Sequence, residues 1–262
     1  MMITSISNTQ VKQVCAYVQK AKERRKDGIF VVEGRKMFEE APIEQIYKVY
    51  VTQSFCDKHI KDDIAAKLKQ TEYELVSEEV FAKMSDTKTP QGVLCLVKWP
   101  QYTLNNLLAQ KDGVFVVLED LQDPGNLGTI IRTGEGAGIA GVIMTRETVD
   151  IFNPKTIRAT MGSIYRVPFV YVEDIAEAIR TLKEAGISVY AAHLKGQQYY
   201  DSFDYKTGSA FLIGNEGNGL KESTADLADT YVKIPMAGQV ESLNAAIATT
   251  LFMYEAARQR GF

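Results

Sequence analysis

The chain has 262 residues, of which 45% are hydrophobic and 24% are charged, and its formal net charge is −3. This composition is typical of a globular protein with one large domain or two smaller ones, and it argues against a uniformly basic nucleic-acid-binding protein. No apolar run approaches the roughly 18 residues of a membrane helix, and the first residues lack the pattern of a signal peptide, so a cytoplasmic protein is expected.

Cysteine and histidine residues are few and widely separated. Cys15, Cys56 and Cys95 show no CxxC spacing, and His59 and His193 stand alone. Structural metal sites and disulfide frameworks require clustered ligands or paired cysteines. The sequence therefore predicts neither a metal site nor a disulfide.

Positive charge is concentrated near the N-terminus. Residues 1–36 contain eight basic and three acidic residues, an excess of five positive charges, and Arg24, Arg25 and Lys26 are consecutive. Such a cluster can contact RNA phosphates. A solvated helix that ends at the turn Asp27-Gly28 explains the same pattern. Both interpretations stay open at this point.

The first 98 residues have the pattern of a small α/β domain. A helix is predicted over residues 57–70, and Trp99-Pro100 breaks the last strand before a linker or short helix over residues 99–112. The predicted strands are residues 30–34, 46–51, 73–76 and 92–97.

From residue 113 onward, predicted strands alternate with predicted helices. The strands are residues 114–118, 141–145, 169–172, 187–192, 210–214 and 231–235, and the helices are residues 127–137, 154–160, 175–185, 223–228 and 245–260. Continuous apolar strands that alternate with helices indicate an α/β fold with a mostly parallel sheet covered on both faces. Ligands of such sheets bind beyond the carboxyl ends of the strands.

Three loops follow strand ends and carry polar side chains. The first contains Asn126 and Arg132, the second is the glycine-rich run 213–220, and the third contains Ser242 and Asn244. Helix capping is the simplest explanation for the Asn and Ser residues, and a surface position is the simplest for Arg132. However, all three loops leave the same edge of the predicted sheet and can line one crevice.

The sequence nearly matches two nucleotide-binding motifs but departs from each at an essential point. Gly136, Gly138 and Gly141 spell GxGxxG, but a helix precedes them and a strand follows, which reverses the order in dinucleotide-binding proteins. The second loop resembles the phosphate loop GxxxxGK[ST], but Leu220 occupies the lysine position.

Taken together, these motifs resemble those of the SpoU, or TrmH-like, RNA ribose 2′-O-methyltransferases. The matching stretches, in order, are Asn126 with Arg132-Thr133, Gly214-Asn-Glu-Gly217, and Ile234-Pro-Met236 with Ser242-Leu-Asn244. Residues 153–163 resemble a further segment of this family. Residues 30–97 resemble the substrate-binding domain, similar to ribosomal protein L30e, that precedes the catalytic domain in many members.

The resemblance implies an L30e-like RNA-binding domain over residues 1–98 and a methyltransferase domain over residues 113–262. It also implies a deep trefoil knot, S-adenosylmethionine as cofactor, a homodimer, and structured RNA as substrate, with ribosomal RNA as the leading expectation. Matched by position, the cofactor-binding residues are His193, Gly214, Ile234, Ser242 and Leu243. The catalytic and RNA-contacting residues are Asn126, Arg132, Glu216, Ser242 and Asn244.

The general base is left open by the sequence. These motifs contain no Cys or His that could accept the hydroxyl proton, and Arg132, the base by family analogy, has a guanidinium that normally stays protonated. We therefore expect Arg132 to clamp phosphate and to stabilise the developing alkoxide. Glu216 is expected to order Arg132 or to accept the proton, and Asn126, Ser242 and Asn244 to position the ribose.

Three alternatives remain at this stage. The substrate can be transfer RNA instead of ribosomal RNA, or the chain can be a non-catalytic L30e-like RNA-binding protein. Methylation of a small molecule or of a protein is the third, and a weak dependence of binding on salt would favour it.

Overall fold

The computed structural model describes residues 2–60 and 63–261. The chain divides into two compact units, of which the first comprises Met1–Gln101 and Asp150–Tyr165 and the second comprises Tyr102–Val149 and Arg166–Phe262. In the described part of the chain, no helix is long and apolar enough to span a bilayer.

The regular elements are numbered in chain order. The helices are α1 (Thr9–Gln19), α2 (Ala21–Asp27), α3 (Arg35–Glu40), α4 (Gln53–Lys58), α5 (Asp63–Lys69), α6 (Glu78–Met84), α7 (Leu104–Leu108), α8 (Pro124–Gly136), α9 (Pro154–Thr160), α10 (Ile175–Glu184), α11 (Glu222–Ala225) and α12 (Ala245–Gln259). The strands are β1 (Ile29–Glu33), β2 (Ile46–Thr52), β3 (Tyr73–Val76), β4 (Val93–Lys98), β5 (Val114–Leu118), β6 (Gly141–Thr145), β7 (Phe169–Val172), β8 (Ser188–Ala192), β9 (Gln198–Tyr199), β10 (Ser209–Ile213) and β11 (Thr230–Lys233).

The first unit is built on a four-stranded sheet in the order β1-β4-β2-β3. β4 pairs antiparallel with β1 and β2, and β2 pairs parallel with β3. Val11, Val14 and Tyr17 recur along one face of α1 and are buried in the core beside Phe81. The small α/β domain predicted for this region is therefore confirmed. The apolar face of α1 is buried against the sheet, and the two form a separate core.

The helix predicted over residues 57–70 is wrong. The chain forms α4, which starts earlier because the Thr52 hydroxyl accepts a hydrogen bond from the Phe55 amide, and α4 ends before His59. A second helix, α5, starts at Asp63. Residues 61 and 62 of the prediction lie outside the described residues.

Residues 150–165 pack with the first unit, although the proposed domain boundaries assign them to the second domain. The Phe152 ring stacks on Phe30 and on Trp99, with 4.6 Å between ring centroids in each case. The Tyr165 hydroxyl donates to the Met37 carbonyl at 3.0 Å. The sequence pattern of this segment could not reveal these contacts, because they depend on aromatic rings far away in the chain.

Arg24 is a structural residue and does not belong to an exposed basic cluster, contrary to one interpretation of the sequence. It is 3% exposed, and its Nη1 donates to the carbonyls of Tyr17 and Val18 at 2.6 and 3.2 Å. Its Nη2 pairs with the Asp150 carboxylate at 2.6 Å. Arg24 therefore satisfies the last carbonyls of α1 and fixes the junction between α1 and α2.

We expect Arg24→Ala to lower the free energy of unfolding by about 3 kcal/mol, because it leaves Asp150 and two helix-end carbonyls without their partner. Thermal or urea unfolding measures this change. The neighbouring Arg25 is exposed, so Arg25→Ala is the control and should change stability by less than about 0.5 kcal/mol. Equal effects of the two substitutions would contradict the structural role of Arg24.

The second unit contains a seven-stranded sheet in the order β7-β6-β5-β10-β8-β11-β9. Every pair of neighbouring strands in this sheet is parallel. Phe115, Val117, Ile143 and Leu212 are buried in its core. The predicted mostly parallel α/β sheet is confirmed, since long apolar strands are buried on both faces only in this arrangement.

The three polar loops leave neighbouring parts of this sheet. β5 and β10 pair directly, and β8 pairs with both β10 and β11. Because all of these strands run in the same direction, their carboxyl ends lie at one edge. This topology brings the first loop together with two loops that follow it by about 90 to 120 residues in sequence. The trefoil knot remains a prediction of the resemblance.

Candidate functional site

Gly214 directly follows β10 and lies where two backbone segments touch. A Cβ atom at this position would lie 2.1 Å from the Gly219 carbonyl carbon and 2.1 Å from the Leu220 nitrogen. Real Cβ atoms do not approach backbone this closely, so only glycine fits without movement of the loop.

The loop after Gly214 is a closed turn held by one asparagine. The Asn215 side-chain oxygen accepts the amides of Gly217 and Asn218 at 2.9 and 3.2 Å. Its Nδ2 donates to the Asp120 carbonyl at 2.9 Å. The far end of the turn closes through Gly219, which has φ of +68° and exchanges backbone hydrogen bonds with Asn215. The glycine-rich loop is thus anchored to the loop that follows β5.

Two carboxylates after β5 hold the end of the glycine-rich loop. Glu119 is 2% exposed, and it accepts the Lys221 amide at 2.8 Å and the Thr224 hydroxyl at 2.5 Å. Asp120 pairs with the Lys221 ammonium at 2.7 Å. Burial would raise the pKa of Asp120, but hydrogen bonds from Lys221 and Thr145 outweigh it and lower this pKa. Both ends of the loop are consequently fixed.

A cavity of about 370 Å³ lies between the glycine-rich loop and the segment that follows β11. This volume is within the range of small-molecule sites, about 300–1,000 Å³. The five residues predicted to bind a cofactor all line the cavity, namely His193, Gly214, Ile234, Ser242 and Leu243. These residues, which are distant in sequence, therefore lie around one cavity.

A chain of hydrogen bonds joins the three loops at the edge of the sheet. Asn244 Nδ2 donates to Asn126 Oδ1 at 2.9 Å, and Asn126 Nδ2 donates to Glu216 Oε1 at 2.9 Å. The Glu216 carboxylate also accepts the backbone amides of Gln122 and Asp123 at 3.0 and 2.9 Å. The orientation of the Asn126 amide follows from this chain, because its oxygen accepts from Asn244 and its nitrogen donates to Glu216.

The capping roles differ from the simplest sequence interpretation. Asp123, not Asn126, caps α8 by accepting the Asn126 amide, and this leaves the Asn126 side chain for Glu216. Asn244 does cap α12, through hydrogen bonds from the amides of Ala246 and Ile247. Asn244 therefore fixes the start of α12 and contacts Asn126 at the same time.

Glu216 lies at the N-terminal end of α8 as a bound carboxylate. Partial burial would raise the pKa of Glu216, but hydrogen bonds from Gln122, Asn126 and Asp123 outweigh it and lower this pKa. The positive end of the helix dipole also favours the ionised form. A carboxylate with a lowered pKa is a poor proton acceptor at neutral pH, so the structure favours an orienting role for Glu216.

Arg132 is one of the two predicted catalytic residues, with Ser242, that the hydrogen-bond chain does not include. Its side chain is exposed on α8, and its guanidinium has no hydrogen-bond or ion-pair partner among residues 2–60 and 63–261. The expected contact with Glu216 is therefore not made. An exposed guanidinium without a protein partner can bind an anionic group of a ligand.

The remaining predicted residues differ in how firmly they are held. His193 Nδ1 accepts the Lys195 amide at 3.1 Å, and its ring packs on Tyr231 with 4.8 Å between centroids. Ser242 is exposed and makes no hydrogen bond within the described part of the chain. The Ser242 hydroxyl is thus available to a ligand.

Sequence reasoning missed the residues that support the site. Glu119, Asp120 and Asn215 hold the glycine-rich loop, and Glu241 and Phe252 line the cavity. Glu119 and Asp120 directly follow an apolar strand, and charged residues at that position are a usable signal for ligand-proximal function. No local pattern marks Phe252, because it lies within an apolar helix.

Parts of both units match known protein families. The model of the SpoU rRNA Methylase family matches residues 113–254, and that of the MRM3-like substrate binding domain matches residues 8–95. The 23S rRNA (guanosine(2553)-2′-O)-methyltransferase RlmP of Bacillus subtilis (strain 168) is 31% identical over 96% of this chain and 97% of its own length.

Two solved structures are similar over nearly the whole chain. The AdoMet-bound rRNA methyltransferase from Sinorhizobium meliloti is 34% identical, has a TM-score of 0.86, and is matched over 98% of this chain and 97% of its own. The SpoU methyltransferase AviRb from Streptomyces viridochromogenes, in complex with the cofactor AdoMet, is 28% identical with a TM-score of 0.85, over 97% of this chain and 98% of its own.

Proposed function

The chain belongs to the SpoU rRNA Methylase family, and we propose that it transfers the methyl group of S-adenosylmethionine to a ribose 2′-hydroxyl of ribosomal RNA. The observation that carries this proposal is the hydrogen-bond chain Asn244–Asn126–Glu216 beside the cavity. All the motif side chains that methyl transfer would use are present. This argues against a non-catalytic RNA-binding protein.

The cavity fits S-adenosylmethionine. When bound, this cofactor supplies an electrophilic methyl group on a sulfonium. Gly214, Gly217 and Gly219 line the cavity without side chains, which lets a flat or extended ligand approach the backbone. His193, Ile234 and Leu243 offer apolar surface, and Ser242 offers a hydroxyl. The crystal structures of relatives that contain AdoMet support this assignment.

The polar residues at the edge have separate roles in the proposed reaction. Asn126 and Asn244 orient the ribose with the remaining donors and acceptors of their amides, and Glu216 holds Asn126 in place. Arg132 binds a phosphate next to the target ribose and stabilises charge on the 2′-oxygen. Alignment of this oxygen with the methyl group supplies much of the rate enhancement.

Ribosomal RNA is the proposed substrate in preference to transfer RNA. One similar protein, RlmP, is named for a guanosine of 23S rRNA, and the match covers 96% of this chain. A separate substrate-binding domain over residues 1–98, supported by the match to residues 8–95, suits a large folded RNA. The proposed substrate also supports a cytoplasmic location.

Transfer of labelled methyl groups to purified RNA tests the proposed function. We expect label in unmodified ribosomal RNA, located on a ribose because the adjoining phosphodiester resists alkaline cleavage, and no comparable label in transfer RNA. A protein that binds the cofactor but labels no RNA would contradict the proposal. If only transfer RNA were labelled, transfer RNA would replace ribosomal RNA as the proposed substrate.

The lowered pKa of Glu216 gives a prediction for the pH dependence. At pH values above the ordinary carboxyl pKa, the ionised form of Glu216 stabilises the contact between the loops. This stabilisation is lost as pH falls through the lower pKa that Glu216 has in the folded state. We therefore expect the rate profile of methyl transfer between pH 6 and 9 to keep the same shape in Glu216→Gln, while the rate falls about 10- to 100-fold. A changed shape would show that Glu216 titrates as the base.

A homodimer formed through α12 is part of the proposal. Ile247 and Tyr254 lie two turns apart on this helix and are 52% and 41% exposed, and exposed apolar patches mark interaction surfaces. We expect Ile247→Asp to convert the protein from dimer to monomer in sedimentation and to weaken cofactor binding. Ile60→Asp is the control, since Ile60 is 68% exposed in the first unit. A wild-type monomer would contradict the proposed dimer.

A further inference from the structure

The short helix α2 and the residue before it carry four exposed cations. Lys20, Lys22, Arg25 and Lys26 are exposed, and none of them has a hydrogen-bond or ion-pair partner among the residues that the structure describes. We call these four residues the basic face. The fifth cation of this run, Arg24, is buried.

Several other cations of the first unit are paired with carboxylates. Arg35 pairs with Glu39, and Lys48 with Glu72 and Glu74. The two acidic residues within the run offset the basic face only in part: Glu23 is half-buried, and the Asp27 carboxylate accepts hydrogen bonds from the neutral side chains of Gln13 and Tyr17. Because four exposed cations face only two acidic residues in the run, this short stretch of surface keeps an excess of positive charge.

This arrangement costs helix stability. Lys22 and Lys26 are four residues apart in the same helix, and like charges at this spacing destabilise it by a few tenths of a kcal/mol. Lys20 and Lys22 also lie at the start of α2, where the positive end of the helix dipole disfavours cations. The negative end of the helix dipole favours cations only at Arg25 and Lys26, which lie in the last turn of α2.

Arg24 holds the basic face in a fixed orientation. Its guanidinium joins the last carbonyls of α1 to Asp150, and Gly28 ends α2 in the left-handed conformation with φ of +62°. Both ends of the short helix are thus constrained. The side chains at positions 22, 25 and 26 follow the i, i+3, i+4 spacing and share one side of it.

We propose that the basic face binds the phosphate backbone of the RNA substrate. This inference deepens the proposed function and rests on it. Backbone phosphates are the ligand that matches several unpaired cations without a pocket for a base, and such contacts position the protein without reading sequence. The basic face therefore adds affinity and orientation, while selection of the target nucleotide depends on other residues.

The test compares two variants of equal charge change in the full-length protein. The first replaces Lys22, Arg25 and Lys26 with Gln, and the control replaces the exposed Lys58, Lys69 and Lys111 with Gln. Affinity for unmodified ribosomal RNA is measured at several salt concentrations. We expect the first variant to bind roughly 10- to 100-fold more weakly and to lower the slope of log K against log salt concentration by about 2. The control should match the wild type.

Methyl transfer separates failure of this inference from failure of the proposed function. With saturating RNA, the first variant should keep the wild-type maximal rate and the wild-type affinity for S-adenosylmethionine. An unchanged salt slope in an active enzyme would overturn the role of the basic face alone, and so would an equal loss in the control variant. Absence of methyl transfer by the wild type would instead overturn the proposed function.

Discussion

Arg132→Ala is expected to reduce the rate of methyl transfer about 10³-fold while the affinity for S-adenosylmethionine stays within about two-fold of the wild type. Arg132 has an exposed guanidinium without a partner in the described residues and does not line the cavity. Its removal therefore spares the cofactor site. Loss of a cationic donor that stabilises a developing oxyanion typically costs 10²- to 10³-fold in rate. Single-turnover kinetics and calorimetry measure the two quantities.

Arg132→Lys is the matched substitution. It keeps the positive charge but loses the planar fork that binds phosphate with two parallel hydrogen bonds. We expect partial activity, between those of the wild type and the alanine variant. If Arg132→Ala weakened cofactor binding as much as it slowed methyl transfer, the residue would belong to the cofactor site and our assignment would be wrong.

Gly214→Ala is expected to weaken S-adenosylmethionine binding by about 100-fold or more. The new Cβ would lie 2.1 Å from backbone atoms of Gly219 and Leu220, so the glycine-rich loop has to move. The loop is anchored through Asn215 and Lys221 to the segment after β5, and displacement by about 1 Å in a site of this kind costs about 10²-fold.

Gly217→Ala is the control in the same loop. Its Cβ would meet only the Asn215 side-chain oxygen, at 3.5 Å, and Gly217 does not have positive φ. We expect cofactor binding close to that of the wild type. Melting temperatures of both variants show whether the second unit remains folded. Unchanged cofactor affinity in Gly214→Ala would contradict the proposed role of the glycine-rich loop in cofactor binding.

The fold of the second unit could be predicted because its strands are long and apolar. The residues of β5 and β10 are all buried, and this pattern is visible in the sequence. The helix predicted over residues 57–70 was wrong because α4 starts earlier, at a cap that Thr52 provides at the end of β2, and ends before His59. Local apolar periodicity does not carry such information.

The candidate site was only partly predictable for a related reason. Asn126, Glu216 and Asn244 could be named from their motifs, but their pairing required the topology that joins three separate loops. For Arg24, the sequence suggested a place in an exposed basic cluster, and the structure shows a buried residue instead. It has the same sequence surroundings as Arg25, and only the position of Asp150, more than 120 residues away, determines that Arg24 is buried and paired.

The most direct test of the central claim is a map of ribose 2′-O-methylation in ribosomal RNA from cells that lack this protein. We predict that one modified ribose of the wild-type RNA becomes unmodified. The wild-type protein should restore it, and Arg132→Ala should not. An unchanged map of ribosomal RNA, or a restored modification in cells with the Arg132→Ala variant, would contradict the proposed function.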